Sequence, residues 1–250
     1  MTRSDLYDDP ALYALQYRSY REDLAFYRGL ALDRPGRVLE LGAGAGRVTV
    51  ELARLAERVV ALEPSGPMRE AAAARLEEAG LRERVELLDL DARQLDAADA
   101  FELAVAPFHM LNELRGLADQ DAVLTAVRRS LTTGGAFACD VVAPRFGPTG
   151  VLRREATWRD AAGRDAELWL LQEVDEAEQI VESLYLLDRE DADGRVVRTR
   201  RRLVQRWLHR FELERALRQA GFATVRVFGD FDRRPVDASA ARYVALATVA

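Results

Sequence analysis

Three glycines at alternate positions, Gly42-Ala43-Gly44-Ala45-Gly46, stand between the apolar run Val38-Leu39-Glu40-Leu41 and a helical pattern from Arg47 to Ala56. Nothing else in the chain limits its fold as tightly. Glycine at a strand-to-helix junction lets the chain turn sharply and lets a ligand approach the backbone with no Cβ in the way. The helix that follows points free N–H groups at whatever sits there. A dinucleotide fingerprint requires Gly-x-Gly-x-x-Gly, and Arg47 stands after Gly46 where that register would continue toward its third glycine. The nicotinamide reading is weakened accordingly.

The junction belongs to a longer alternation. Strands are predicted at Arg37–Leu41, Arg58–Leu62, Val85–Leu88, Phe101–Ala106 and Ala136–Val142, with helices near Arg47–Ala56, Pro67–Ala79 and Asp119–Leu131 between them. Gly80 is placed to end the second of those helices, and Thr132-Thr-Gly-Gly135 the third. Strand and helix in turn imply βαβ units and a parallel sheet. Before them, Ser4–Leu32 reads as helix starting at Asp8-Asp9-Pro10, with Tyr13, Tyr17 and Tyr20 near i, i+4, i+7.

After Pro144 the pattern changes to strand-like runs at Ala156–Arg159, Ala166–Val174, Ile180–Asp188 and Val196–Trp207, with turn signals at Ala162-Gly-Arg and Ala192-Asp-Gly-Arg. This predicts an antiparallel meander. A helix at Phe211–Ala220 and strands at Thr224–Gly229 and Arg242–Val249 complete the chain.

Composition removes several chemistries. All 36 basic residues are Arg, so there is no Schiff-base, Walker or dehydrogenase lysine. With 42 acidic residues the net charge is -6, the wrong sign for a nucleic-acid binder. The single Cys139 makes neither a disulfide nor a metal cluster, so no metal site is expected. No apolar run is long enough for a bilayer span and the start lacks a signal peptide's apolar stretch, so no membrane partner is expected and the cytoplasm is the expected compartment. The Ala, Arg, Asp and Leu bias is that of a GC-rich, bacterial coding sequence.

The run Val38-Leu-Glu-Leu-Gly-Ala-Gly-Ala-Gly-Arg-Val-Thr49 resembles the acidic-x-Gly-x-Gly-x-Gly signature of class I S-adenosylmethionine-dependent methyltransferases. Within that family the chain is most similar to the small-molecule branch of glycine/sarcosine and amino-sugar N-methyltransferases. The resemblance covers roughly Tyr13 to Val142 and the last two strands. It implies a Rossmann-like α/β fold, mostly parallel with the last strand antiparallel, helices on both faces and an inserted meander. It implies one methyltransferase domain over 1–250, comprising a helical lid at 1–33, a cofactor core at 34–144, the meander at 151–209 and the last helix and strands at 210–250. The cofactor implied is S-adenosyl-L-methionine, with S-adenosyl-L-homocysteine as product.

The resemblance also assigns roles. Gly42, Ala43, Gly44 and Gly46 would form the cofactor loop, and Glu63 would accept both ribose hydroxyls. Asp91, with Asp89 competing, would take the adenine amino group, beside the backbone of Ala92. Pro64 and Met68 would pack on the adenosine, although Met68 fits ordinary core equally. The carbonyl of Ala106 would meet the methionine amine, Glu40 would orient the loop and that amine, and Arg47 would pair with the methionine carboxylate or simply be solvated.

On the acceptor side, His109 follows the fourth strand and is read either as a base or as a structural imidazole. Tyr17 belongs to an aromatic lid that would face the sulfonium, or to ordinary packing. Arg198, Arg200, Arg202 and Arg206 form a row on the last meander strand that would meet an anionic acceptor or pair with neighbouring carboxylates. Such an insert shapes the acceptor pocket or a homodimer contact. The expected activity is methyl transfer to a nitrogen or oxygen of a small molecule (EC 2.1.1.-). The rivals are an NAD(P)-dependent oxidoreductase and a non-catalytic S-adenosylmethionine-binding protein of the same fold. An RNA methyltransferase is disfavoured because Ala106-Pro-Phe-His109 replaces the Asn/Asp-Pro-Pro-aromatic motif.

Overall fold

A computed structural model describes residues 4–159 and 163–250. The turn expected at Ala162-Gly163-Arg164 therefore lies partly outside the described residues. Helices α1 (Pro10–Gln16) and α2 (Leu24–Asp33) lead into the alternation β1 (Arg37–Leu41), α3 (Arg47–Ala53), β2 (Arg58–Leu62), α4 (Gly66–Glu78), β3 (Val85–Leu88), β4 (Phe101–Ala106), α5 (Leu117–Ser130) and β5 (Leu131–Val142). The meander is β6 (Arg153–Arg159), β7 (Asp165–Asp175), β8 (Ile180–Glu190) and β9 (Val196–Arg206). The chain then adds α6 (Arg210–Gln219), β10 (Thr224–Phe228) and β11 (Arg242–Thr248).

The main sheet has seven strands in the order β3-β2-β1-β4-β5-β11-β10, with β11 antiparallel to both neighbours. β1 pairs in parallel with β2 on one side and β4 on the other. Both faces of the central strands are covered, which is why Val38, Leu39 and Leu41 run apolar without alternation. One core layer joins Leu39, Leu41 and Phe137 to Leu124 of α5 and Leu213 and Leu217 of α6. The other joins Val38, Val59 and Val105 to Phe26, Tyr27 and Leu30 of α2, Leu52 of α3 and Leu76 of α4. Chain order reverses between β1 and β4, so the loops leaving those two strands open a crevice at the carboxyl edge.

The meander forms its own four-stranded antiparallel sheet, inserted between β5 and α6. Leu6 and Leu12 of the N-terminal segment pack on its Leu168, Leu170, Tyr185, Leu187 and Leu203. Ser4 and Asp5 also hydrogen-bond the β9 backbone at Val204 and Arg202. The N-terminal segment thus bridges the two sheets.

Several boundaries differ from expectation: β6 begins three residues early, at Arg153, and three further differences have a visible cause or extent. The N-terminal helix is two helices: Asp9 caps α1 through the Leu12 N–H and Pro10 starts it, but the chain breaks after Gln16 and resumes at Leu24. The break lets Asp23 swing out and accept both guanidinium N–H groups of Arg47 at 2.6 Å each. α3 stops at Ala53, three residues short of Ala56. β5 begins at Leu131, because Thr132–Gly135 continue the strand through a register shift against β4 rather than forming a loop.

Candidate functional site

A cavity of about 610 Å³ occupies the crevice between β1 and β4, lined by Gly42, Gly44, Glu63, Asp91, Phe108 and Glu113 among others. A smaller space of about 80 Å³ adjoins it and is reached by Glu40, Arg47, Tyr13 and Tyr17. All three loop glycines have positive φ, at 69°, 56° and 77°. A Cβ on Gly46 would lie 3.1 Å from Ala72 of α4, so that glycine serves close helix packing. A Cβ on Gly44 would meet nothing within 4 Å, because the side it would occupy is the cavity.

Glu63 directly follows β2 and is 7% exposed. Its Oε2 accepts the Gly44 N–H at 2.8 Å and its Oε1 accepts the Ser65 N–H at 2.9 Å. Each oxygen has a further lone pair for a donor in the cavity, the arrangement a diol needs. Burial raises the Glu63 pKa, opposed by those two backbone bonds. Ser65 then caps α4, whose Met68 is fully buried and packs with the helix rather than lining the cavity. Pro64 and Ala92 do line it.

Glu40, on β1, is 1% exposed and its Oε2 has no hydrogen-bond partner among the described residues. Burial pushes its pKa up to about 8. A buried carboxylate oxygen left open beside the glycine loop is a ready partner for a cationic group. Arg47 is differently engaged from the sequence-based expectation. Its guanidinium is clamped by Asp23 and lies over the Tyr20 and Phe108 rings, 5.1 and 5.3 Å from their centroids. Even so, it borders the smaller space.

Asp91 lines the cavity while also binding Arg93, which lowers its pKa. Asp89, its competitor, is 71% exposed at the side chain and pairs with Arg69 away from the cavity walls. Ala106 is buried at the end of β4, beneath Pro107 and Phe108, which form the wall.

The β4 exit holds two consecutive non-glycine residues at positive φ, Phe108 at 55° and His109 at 63°. Such backbone needs a fixed partner. Asp140 of β5, fully buried, supplies it by accepting the Phe108 N–H at 2.8 Å and the His109 N–H at 3.2 Å. Asp140 also accepts the Tyr27 hydroxyl at 2.6 Å and lies 3.4 Å from His109 Nε2. His109 consequently stacks behind Phe108 and is not among the cavity-lining residues; burial lowers its pKa.

Tyr13, Tyr17 and Tyr20 gather around Phe108, with ring centroids 6.2, 4.6 and 4.9 Å from it. They converge even though Tyr20 lies beyond the helix break. Two functional candidates escaped the sequence. Asp140 is one and Glu113 is the other, in the 3-10 turn Met110–Glu113 that follows β4. Glu113 Oε1 accepts the Tyr7 hydroxyl and the Gln205 side-chain N–H, both at 3.0 Å.

The meander contributes Val204 to the cavity wall, whereas its aromatics Trp158, Trp169, Tyr185 and Trp207 lie elsewhere. Of the arginine row, Arg198 pairs with Asp188, Arg202 with Glu182 and Arg206 with Glu212. His209 caps α6.

A sheet of this order, with an acidic residue at the end of β2 and a glycine loop after β1, defines the class I S-adenosylmethionine-dependent methyltransferase fold. Residues 38–135 match the family model described as a methyltransferase domain, within that fold. Among curated proteins none matches the chain. The chain is similar to the CcbJ methyltransferase of Streptomyces caelestis, at 25% identity and a TM-score of 0.77, covering 92% of this chain and 95% of that one. It is similar to the amino pentose methyltransferase of Micromonospora echinaspora, solved with S-adenosylmethionine bound, at 20% identity and 0.76 over the whole of both chains. A sugar N-methyltransferase from a Streptoalloteichus species superposes at 16% identity and 0.77, covering 100% and 94%. Among the described residues no helix is long and apolar enough to cross a membrane.

Proposed function

We propose that this chain is a cytoplasmic methyltransferase, one domain over residues 1–250, that moves the methyl group of S-adenosylmethionine to a nitrogen or oxygen of a small molecule. The observation that carries it is Glu63: a buried carboxylate at the end of β2, fixed by two backbone N–H groups and turned toward a cavity. The orphaned oxygen of Glu40 and the open side of Gly44 fit the same cofactor. Glu63 would hold the ribose, Glu40 and the β4 exit at Ala106 the methionine end, and Asp91 and Ala92 the adenine. Solved neighbours described as acting on sugars and glycopeptides support a small-molecule acceptor.

Bound there, the cofactor supplies a methyl on a positively charged sulfur. The chain's part is to bring the acceptor to near-attack distance and keep water out. Tyr13, Tyr17 and Phe108 present aromatic surface to a cation. His109, turned to Asp140, serves as a positioning residue that fixes Phe108.

Calorimetry and thermal melts with S-adenosylhomocysteine and NAD side by side test this reading. S-Adenosylhomocysteine should bind and raise the melting temperature. Gly44→Val, forcing a branched side chain into the cavity at positive φ, should abolish both effects in a folded protein. A saturating dose that gives neither heat nor a melting shift, or a preference for NAD, overturns it.

A further inference from the structure

We infer that Glu113 is the base that takes the proton from an amine acceptor before methyl transfer, which makes the acceptor an ammonium-bearing small molecule. This rests on the cofactor reading above and goes further, to a residue and an acceptor class. The geometry is specific. Glu113 lies in the wall of the 610 Å³ cavity that Glu63 also lines. Its Oε1 is held from both sides, by Tyr7 of the N-terminal segment and Gln205 of β9, each at 3.0 Å. Two distant parts of the chain therefore fix one carboxylate, and Oε2 is the oxygen neither donor occupies.

The groups around it are mixed in sign. Tyr7, Tyr13, Tyr17 and Glu63 face it from the N-terminal segment and β2, and Arg115 from its own loop. Burial outweighs the hydrogen bonds and the arginine, and pushes the Glu113 pKa up to about 7. A carboxylate raised toward neutrality and open to the cavity at Oε2 is suited to take a proton from an ammonium, whose pKa is roughly 8, rather than from a phenol near about 10 or an aliphatic hydroxyl, both weaker acids.

The step balances simply. The ammonium gives one proton to the Glu113 carboxylate, and the nitrogen lone pair thus freed forms the N–C bond as the methyl's C–S bond breaks. The C–S pair stays on sulfur, and the methylated ammonium leaves with the positive charge the sulfonium lost. By contrast His109, the base suggested by position in the sequence, faces Asp140 outside the cavity.

The test uses the full chain saturated with S-adenosylhomocysteine and labelled at the glutamate carboxyl carbons. An NMR titration from pH 5 to 9 should include a carboxylate titrating near neutrality that is absent in Glu113→Gln. Tyr7→Phe, which removes a bond to the charged form, should move that titration upward. If the signal lost in Glu113→Gln titrates in the ordinary carboxylate range, the assignment is wrong, even with S-adenosylhomocysteine binding intact. Loss of that binding in the unaltered protein would instead refute the cofactor reading. A kinetic arm uses acceptors differing only in the reacting group, beginning with glucosamine and glucose. Turnover should be confined to the amines, and Glu113→Gln should lower kcat by about 10²–10⁴-fold with S-adenosylhomocysteine affinity held within about threefold. Preference for the hydroxyl partner, or wild-type kcat in Glu113→Gln, overturns the inference.

Discussion

Glu63→Ala tests the proposed ribose contact. The carboxylate has two oxygens, each already accepting one backbone N–H, from Gly44 and from Ser65. A diol adds one donor to each. Hydrogen bonds to a charged acceptor are worth about 1.5–3 kcal/mol apiece, yet the alanine variant opens room for water to replace part of both. The net loss should therefore be about 1.5–3 kcal/mol, or roughly 10- to 150-fold in Kd. The same change also removes the acceptor for two loop N–H groups. Both border the open cavity, where water can reach them, so the unliganded protein should lose only about 1 kcal/mol.

Calorimetry with S-adenosylhomocysteine, adenosine and methionine, beside urea unfolding of the free protein, separates the two effects. The affinity loss should appear with the two adenosine-containing ligands and not with methionine. Because burial holds the Glu63 pKa above the ordinary carboxylate value, their affinity should also weaken as the solution is acidified, sooner than an exposed carboxylate would cause. An unchanged Kd for adenosine, or an equal loss for methionine, would mean that Glu63 braces the loop and holds no ribose.

Glu40 predicts a proton count: with a native pKa of about 8 against about 4.3 unfolded, the native state binds the extra proton, so stability falls as pH rises through that window. A ligand ammonium restores the charged form, so S-adenosylhomocysteine binding at pH 7 should release a proton and give a buffer-dependent enthalpy that Glu40→Gln reduces; equal enthalpies in all buffers would exclude that pairing. Asp140→Ala strands the buried Tyr27 hydroxyl and two turn N–H groups, and should cost about 3–5 kcal/mol in urea unfolding, against about 1.5 for Tyr27→Phe, which removes one donor. A cost below about 1 kcal/mol for Asp140→Ala would show that the β4 exit holds its shape unaided.

The strands were legible because each is a short apolar run closed by a turn signal, and a parallel sheet buried on both faces demands such runs. The glycine loop and the position of Glu63 at the cavity were legible for a related reason: where they fall is set relative to β1 and β2, which are local features. Asp91 was harder to separate from Asp89, two residues away on the same side of the chain. Burial and pairing separate them, since Asp89 turns out to Arg69 while Asp91 stays at the cavity. Arg47 shows the limit of position. Its place in the first helical turn left the methionine carboxylate and solvent as equal expectations, and the partner within the chain is Asp23, on a segment the periodicity draws as unbroken helix.

Glu113 and Asp140 could not have been found by pattern. Tyr7 and Glu113 are 106 residues apart, Gln205 and Glu113 are 92 apart, and Tyr27 and Asp140 are 113 apart. Each carboxylate gains its role only when the sheet order brings β4 beside β5 and the N-terminal segment is laid over the meander. The aromatic stripe survived for the opposite reason. Its helix breaks after Gln16, so Tyr13, Tyr17 and Tyr20 no longer share a helical face, yet all three rings still reach Phe108. What the tyrosines encode is an aromatic cluster around one strained turn, and several backbone paths satisfy it. The turn in turn depends on Asp140, so the cavity wall at Phe108 is set by a residue on a strand that does not itself line the cavity.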